Sequence, residues 1–431
     1  MAKTKNEIPK SRKSYLLKMA AKMLVQQGKK YMNNKPESRL TALVEQADTL
    51  VNHVGRLKGA AMKAVQTISV EGYDFLPPEV IQVLEKLQSQ APPIDSQVLI
   101  EQIKSELGEE KFKLLDNIHA EPMASASIGQ VYEATYKWCK VVIKVQYPGV
   151  AESVDGDIDT LKNLLKAFFT VTQKKIKFDA IMEEARRVLK LETDYLHEQK
   201  SLIKYKELFN GSEYIIPDVF PELTTSKVIV MSKEEGHEYT SWLKTNPSDE
   251  QKKRVADQLL MLYIKEFFEN QLVQTDPNPA NFLINGQGQM ILLDFGATME
   301  FDLNFVKDYQ ILIRKVFSLD RVSILKQVFD LNFLDPRESD EAQKSFVDFL
   351  ILSVTPFDPK QQPFNFSNNE YSQLIRTKAM EFSRLLKYSA PPKNLIFLHR
   401  KLGGIFMLLK RLNIKTDLTE FRNLIIENNY Y

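Results

Sequence analysis

Residues 274–284 read QTDPNPANFLI, and LLDFG follows at 292–296. Asp276 is separated from Asn281 by four residues, and Asp294 lies 13 beyond Asn281. A D-x-x-x-x-N step followed by DFG is the spacing of a kinase catalytic loop and its metal-binding loop. The usual histidine two residues before the aspartate is absent, and Gln274 stands there. Between the two motifs, NFLING and QMILLDFG read as a small hairpin around Asn285-Gly286, a strong turn signal. Phosphoryl transfer asks a protein mostly for positioning and charge neutralisation. On that logic Asp276 is the base or the group that orients the attacking hydroxyl. Asn281 and Asp294 are oxygen ligands for a hard cation such as Mg²⁺.

The same chemistry needs a lysine for the phosphates. Lys144 sits in the apolar run VVIKV, in the V-x-I-K form of a kinase third strand. A lysine inside an apolar strand is costly unless paired. Its partner is expected on the helix read at 179–209, where ARRVLKLETDYLHEQ offers Glu192, Asp194 and Glu198. On one continuous helix Asp194 and Glu198 share a face and Glu192 points about 120° away. Glu198 is the preferred partner of Lys144, with Glu192 the alternative; Glu192 and Asp194 would face a second cation. Ahead of this strand, MASASIGQ (123–130) occupies the place of a glycine-rich phosphate loop and retains only Gly129. Cβ atoms restrict the backbone there, and Ser125 and Ser127 offer hydroxyl donors instead.

Outward from these motifs, SIGQVYEATY (127–136) and KVVIKVQY (140–147) form an antiparallel hairpin. Helices are expected at about 155–173 and 179–209, two short strands in 215–236, and a long helix at 249–271. The last 130 residues read as helical apart from a loop at 355–371. Before the hairpin come helices at 14–33, 37–70, 79–90 and 95–107, the last stopping at Gly108. The fold class is therefore α+β: a two-lobed protein-kinase-like fold, with a small antiparallel β N-lobe and a mainly helical C-lobe. It follows an N-terminal helical extension. The divisions are 1–35 (basic arm), 36–115 (extension), 116–236 (N-lobe) and 237–431 (C-lobe).

Composition agrees with a globular body. Of 58 Lys and Arg, ten lie in residues 1–35 with one acid, Glu7, leaving 48 bases against 55 acids elsewhere. A basic arm on a mildly acidic body points to an anionic surface. One cysteine, Cys139, excludes an intrachain disulfide, and five scattered histidines argue against a structural zinc site. No apolar run approaches the roughly 18 residues of a membrane span. Basic charge at one end without interleaved aromatics argues against nucleic acid.

MASASIGQVYEA, VVIKVQYPGV, LETDYLHE, TDPNPANFLI, LLDFGATMEFD and FLHRKLGGIF together resemble the UbiB-type atypical kinases linked to ubiquinone biosynthesis. The resemblance covers roughly residues 55–415. It implies an alanine-rich loop that, with Met231 and Lys144, contacts ATP or ADP through Ala124, Ser125, Ala126, Ser127 and Ile128. It implies a K-x-G-Q helix, here RLKGAAMKAVQTIS with Lys63 and Gln66 and Val65 in the glycine's place. Lys63 would reach Glu192 and Asp194 and occlude a protein-substrate groove. Asn278 and Ala280 depart from the family's histidine and glycine. The implied function is a Mg²⁺-nucleotide ATPase or kinase supporting prenyl-quinone synthesis at a membrane surface. Its partners would be anionic lipid, prenyl-lipid intermediates and quinone-biosynthesis enzymes. Its location would be cytoplasmic, peripheral on the inner membrane face, or mitochondrial if residues 1–35 act as a presequence. A small-molecule phosphotransferase and a non-catalytic, nucleotide-gated scaffold are the alternatives.

Overall fold

A computed structural model describes residues 95–126, 128–172, 179–389 and 392–430. Lys63, Gln66, Ser127, the basic arm and the helices expected before residue 95 lie outside them. The described chain divides into two units. One holds 95–102, 124–130 and 146–193; the other holds 103–123, 131–145 and everything from Asp194.

The first unit contains the start of α1 (Ser96–Phe112), the short strand β2 (Ala124–Ala126), and the helices α2 (Val150–Thr172) and α3 (Asp179–Glu192). Arg186 joins these two helices by bonding Asp155 at 2.8 Å and Asp159 at 2.6 Å, and Lys190 adds a second bond to Asp155 at 2.9 Å. These carboxylates are largely exposed, so the pairs align the helices more than they stabilise them. The chain does not stop at Gly108, as its sequence suggests. Gly108 takes φ 76°, ψ 161°, which kinks α1, and the helix resumes to Phe112.

The second unit is built on an antiparallel sheet in the order β1 (Leu115–Asp116), β3 (Gly129–Tyr136), β4 (Cys139–Gln146), β5 (Val228–Ser232). The hairpin turn is Lys137-Trp138, both at positive φ, as a tight two-residue turn requires. In β4, Val141, Ile143 and Val145 are fully buried. Lys144 sits opposite Ile229 of β5. Only one strand forms in 215–236. Ile215 and Val219 make isolated bridges, to Ile291 and Met231, because Pro217 and Pro221 remove ladder donors on either side.

The expected helix 179–209 is two helices. It breaks after α3, and α4 (Tyr195–Leu208) starts afresh with Asp194 as its N-cap, the Asp194 carboxylate accepting the Leu196 and His197 N–H groups. Thr193 bonds back to the Leu189 carbonyl. An Asp at this position satisfies backbone donors better as a cap than inside a helix.

Beyond β5 and the two-residue β6 (His237–Glu238) come α5 (Tyr239–Lys244) and α6 (Asp249–Tyr263), which opens on a capping box made by Ser248 and Gln251. This helix continues as a π-turn, Ile264–Glu269. Strand β7 (Leu272–Gln274) pairs with β10 (Thr298–Glu300), and β8 (Phe282–Ile284) with β9 (Met290–Leu292). These two pairs bracket the 276–281 loop and the 294–296 segment. Helices α7 (Leu303–Ser318), α8 (Arg321–Asp330), α9 (Asp340–Ser353), α10 (Asn369–Leu385), α11 (Lys393–Leu412) and α12 (Thr419–Glu427) follow. The C-terminal part is not wholly helical: Phe364–Asn365 pairs with Lys415–Thr416. Tyr263, Phe267, Phe268, Phe301 and Tyr309 form an aromatic core beneath the site, with ring centroids 5.0–5.8 Å apart.

Helix α11 packs directly on the 276–281 loop. A Cβ on Gly404 would fall 1.9 Å from Cγ of Pro277, whereas one on the neighbouring Gly403 would meet nothing within 4 Å. The two glycines therefore respond oppositely to alanine. Gly403→Ala is expected to stabilise by up to about 1 kcal/mol through helix propensity. Gly404→Ala is expected to destabilise by about 1–3 kcal/mol through overpacking. Urea midpoints of the two variants check this; equal shifts would remove the close approach from the account.

Candidate active site

Lys144, Glu198, Asp294 and the 276–281 loop all belong to the second unit. Lys144 projects from β4 and is 8% exposed. Its Nζ bonds Glu198 Oε1 at 2.8 Å and Oε2 at 3.0 Å, and Asp294 Oδ2 at 3.1 Å. The ammonium also lies over the Tyr195 ring, 5.1 Å from its centroid. Burial works against the Lys144 charge, but Asp294 and Glu198 overcome it and hold the lysine well above its ordinary pKa. Glu198 is 1% exposed. Burial pushes its carboxyl up to about 7, with Lys144 pulling it back, Asp294 raising it further, and the Phe295 N–H favouring the charged form. Two carboxylates thus face one ammonium.

Two local structures place these groups. Asp294 Oδ1 accepts the Gly296 N–H at 3.0 Å, an Asx-type turn that fixes the carboxylate. Phe295 packs on Tyr205, centroids 4.7 Å apart. Tyr205 lies two turns beyond Glu198 on α4, so one helix is tied to the Asp294 segment at both ends of this face.

The loop that carries Asp276 is wired separately. The Thr275 N–H and hydroxyl both donate to the Ala297 carbonyl, at 2.9 and 2.7 Å. Gln274 Nε2 donates to the Asp276 carbonyl at 2.6 Å, and Asn281 Nδ2 to the same carbonyl at 3.0 Å. The Leu293 N–H donates to the Asn281 carbonyl at 3.0 Å. Asn278 caps the 3₁₀ turn Pro279–Asn281 by accepting the Ala280 N–H. This is a local reason for an asparagine there.

Beneath the loop lies a second charged group. Lys401 Nζ and Glu266 Oε2 are 2.6 Å apart, and both side chains are fully buried. Tyr205 donates to Glu266 Oε1 at 3.0 Å. Lys401 Nζ reaches Gln274 Oε1 at 3.5 Å. Burial pushes the Glu266 carboxyl up, opposed by Lys401 and by the hydrogen bonds it accepts. Glu266 sits in the π-turn that continues α6, with its side chain fully buried. Glu266, Gln274, Asn281, Asp294 and Lys401 line one small cavity of about 10 Å³, room for one water.

The structure therefore brings Lys144, Glu198, Asp294, Asn281 and Asp276 to neighbouring elements of one unit. Met231 is 5% exposed on β5, opposite Val142. Glu192 and Asp194 do not share a helix with each other, contrary to the single-helix expectation. Glu192 is buried at the end of α3 in the first unit, and Asp194 is exposed and bound to its own helix N-terminus. The pairing of Lys144 is with Glu198, not Glu192. Ala124 and Ser125 are exposed on β2, Ala126 is half-buried, and Ile128 is buried, all in the first unit. Arg400, Lys401, Glu266 and Gly404 escaped the motif reading. FLHRKLGGIF stands out in the sequence, but nothing local says which loop it meets.

Removing the cation from a buried pair leaves carboxylates without compensation. Lys144→Met is expected to lower stability by about 3–5 kcal/mol, and Lys144→Met with Glu198→Leu by much less than the sum of the single changes. Chemical denaturation of the three variants measures this, and strict additivity would deny the coupling.

A family model described as the ABC1 atypical kinase-like domain matches residues 86–328. The Saccharomyces cerevisiae protein named atypical kinase COQ8, mitochondrial, is 34% identical over 374 residues, 85% of this chain and 73% of that protein. The Danio rerio atypical kinase COQ8B, mitochondrial, is 30% identical over 372 residues, 86% of this chain and 59% of its own. Among solved structures, Rv3197 from Mycobacterium tuberculosis, in complex with erythromycin, superposes with a TM-score of 0.61 at 21% identity. That match covers 90% of this chain and 98% of Rv3197. The last likeness concerns fold alone.

Proposed function

The chain belongs to the ABC1 atypical kinase-like family, the UbiB group, and is a kinase-like ATPase or phosphotransferase with a two-lobed α+β fold; from that premise we propose that it turns over Mg²⁺-nucleotide in support of prenyl-quinone synthesis at a membrane surface. The observation that carries the nucleotide half is the Lys144 cluster, in which two carboxylates share one buried ammonium. A divalent cation at the more exposed of the two, Asp294, would relieve that excess of negative charge.

The donor set suits Mg²⁺. Among the described residues no group of three or more His, Cys, Asp or Glu side chains could hold a metal. Asp294 and Asn281 offer two hard oxygens, which leaves most of the shell to phosphate and water, as Mg²⁺ prefers. When bound, the ion supplies charge neutralisation for the transferred phosphoryl group. The chain's own residues do the rest. Glu198 holds Lys144 toward the phosphates. Asn281 turns its amide nitrogen to Asp276 and offers its oxygen to the metal. Asp276 orients the attacking hydroxyl or water.

The membrane half rests on the relatives and on charge. The yeast and fish relatives are named mitochondrial. Ten bases and one acid in residues 1–35 suit an anionic bilayer or an organellar presequence. No helix among the described residues is long and apolar enough to cross a membrane. On this reading the partners are anionic lipid, prenyl-lipid intermediates and quinone-biosynthesis enzymes, and the site is mitochondrial or peripheral on a membrane face.

Phosphate release from Mg-ATP by the full chain, with and without anionic liposomes, tests the proposal. Turnover stimulated by liposomes is the expected result. Nucleotide binding with no turnover in either condition would leave a nucleotide-gated scaffold. Asp294→Asn is expected to abolish the thermal shift given by Mg-nucleotide; an undiminished shift would take the metal away from Asp294.

A further inference from the structure

Asp276 lies in a loop whose sequence lacks the basic and aromatic neighbours that usually brace a catalytic aspartate of this spacing, yet it is not left to solvent. The Arg400 guanidinium reaches across 124 positions of chain to Asp276 Oδ1, at 3.3 Å. The Arg400 side chain is 7% exposed and that of Asp276 14%. On the other side, Asn281 Nδ2 stands 3.5 Å from Asp276 Oδ2. The carboxylate is therefore fixed from two directions, by a cation from α11 and by the loop's own asparagine.

Helix α11 is seated firmly enough to aim that guanidinium. Lys401, the next residue, is locked to Glu266 in a fully buried pair. Gly404, one turn on, lets the helix backbone approach Pro277, the residue after Asp276. Two contacts from one stretch of helix, at Arg400 and Gly404, thus converge on the loop, and the Lys401–Glu266 pair between them anchors the helix. A side chain held by packing and by adjacent ionic contacts keeps its geometry better than one on a free loop.

We propose that Arg400 is the positioning residue of the phosphoryl-transfer centre: it clamps one oxygen of Asp276 and directs the other at the attacking hydroxyl or water. This rests on the reading of Asp276 given above. A carboxylate oxygen engaged by a guanidinium keeps its direction. The clamp therefore assigns Asp276 to alignment, the larger part of catalysis where the transition state is loose. Arginine is the suitable residue because its planar fork keeps direction, which a lysine ammonium on a flexible stem does not.

The test measures phosphate release and nucleotide affinity together, on the full chain with anionic liposomes. Arg400→Ala is expected to lower kcat by about 100-fold, the usual cost of misplacing a reacting group, while the Kd for Mg-ADP stays at the wild-type value. Added methylguanidinium is expected to restore part of the lost kcat. Arg400→Lys keeps the charge and is expected to remain well below wild type. An unchanged kcat in Arg400→Ala overturns the proposal. So does a kcat loss matched by an equal loss of Mg-ADP affinity with no rescue, since that pattern belongs to a structural residue. If Arg400→Ala does not fold, Arg400→Lys decides: low kcat at normal affinity upholds the clamp, and wild-type kcat overturns it. Absence of turnover in the wild-type protein would instead sink the catalytic reading of the whole site, and this proposal with it.

Discussion

A lysine ammonium in the middle of an apolar strand organises this molecule. Lys144 stands between two fully buried residues, Ile143 and Val145, and an isolated charge there would cost several kcal/mol. It is tolerable only because Glu198 and Asp294 converge on it. Those two residues come from a helix 54 positions later and a loop 150 positions later. The need to neutralise one buried charge therefore constrains the sheet, α4 and the DFG segment at once. A site that must assemble these charges to exist holds them in fixed positions, two carboxylates around one ammonium.

A second buried pair does comparable work under the 276–281 loop. Glu266 and Lys401 have no exposed side-chain surface, so neither is tolerable alone. Their pairing joins α6, through its π-turn, to α11. Tyr205 brings α4 into the same network by donating to Glu266. Since α4 also carries Glu198, the helix whose glutamate pairs with Lys144 and the helix whose arginine pairs with Asp276 share one polar connection. Gln274 sits at its centre, near Lys401 on one side and donating to the Asp276 carbonyl on the other. A histidine at that position would offer a ring where this structure uses both ends of an amide.

Much of this was legible along the chain because the relevant signals are local. Alternation in GQVYEATY and VVIKV marked the hairpin, and Asp276, Asn281 and Asp294 sit at fixed offsets that a short loop and a small hairpin can maintain. The helix expected at 179–209 shows where local periodicity misleads. Its apolar pattern runs through Thr193 and Asp194, but Asp194 caps the next helix instead of lying with Glu192 and Glu198 on one continuous helix. Of the two strands expected in 215–236 only β5 formed, since Pro217 and Pro221 left too few donors for a second ladder strand.

Family, fold class and the residue types of the D-x-x-x-x-N and DFG motifs were legible in the sequence alone. These depend on composition, periodicity and spacing over a few residues. Only the tertiary structure decided that Glu198 is the partner of Lys144, that Glu192 and Asp194 part company, and that Arg400, Lys401 and Gly404 of a C-terminal helix seat the Asp276 loop. Each of those outcomes turns on which side chains share a low-dielectric space. That is set by how distant segments pack, and no local spacing encodes it.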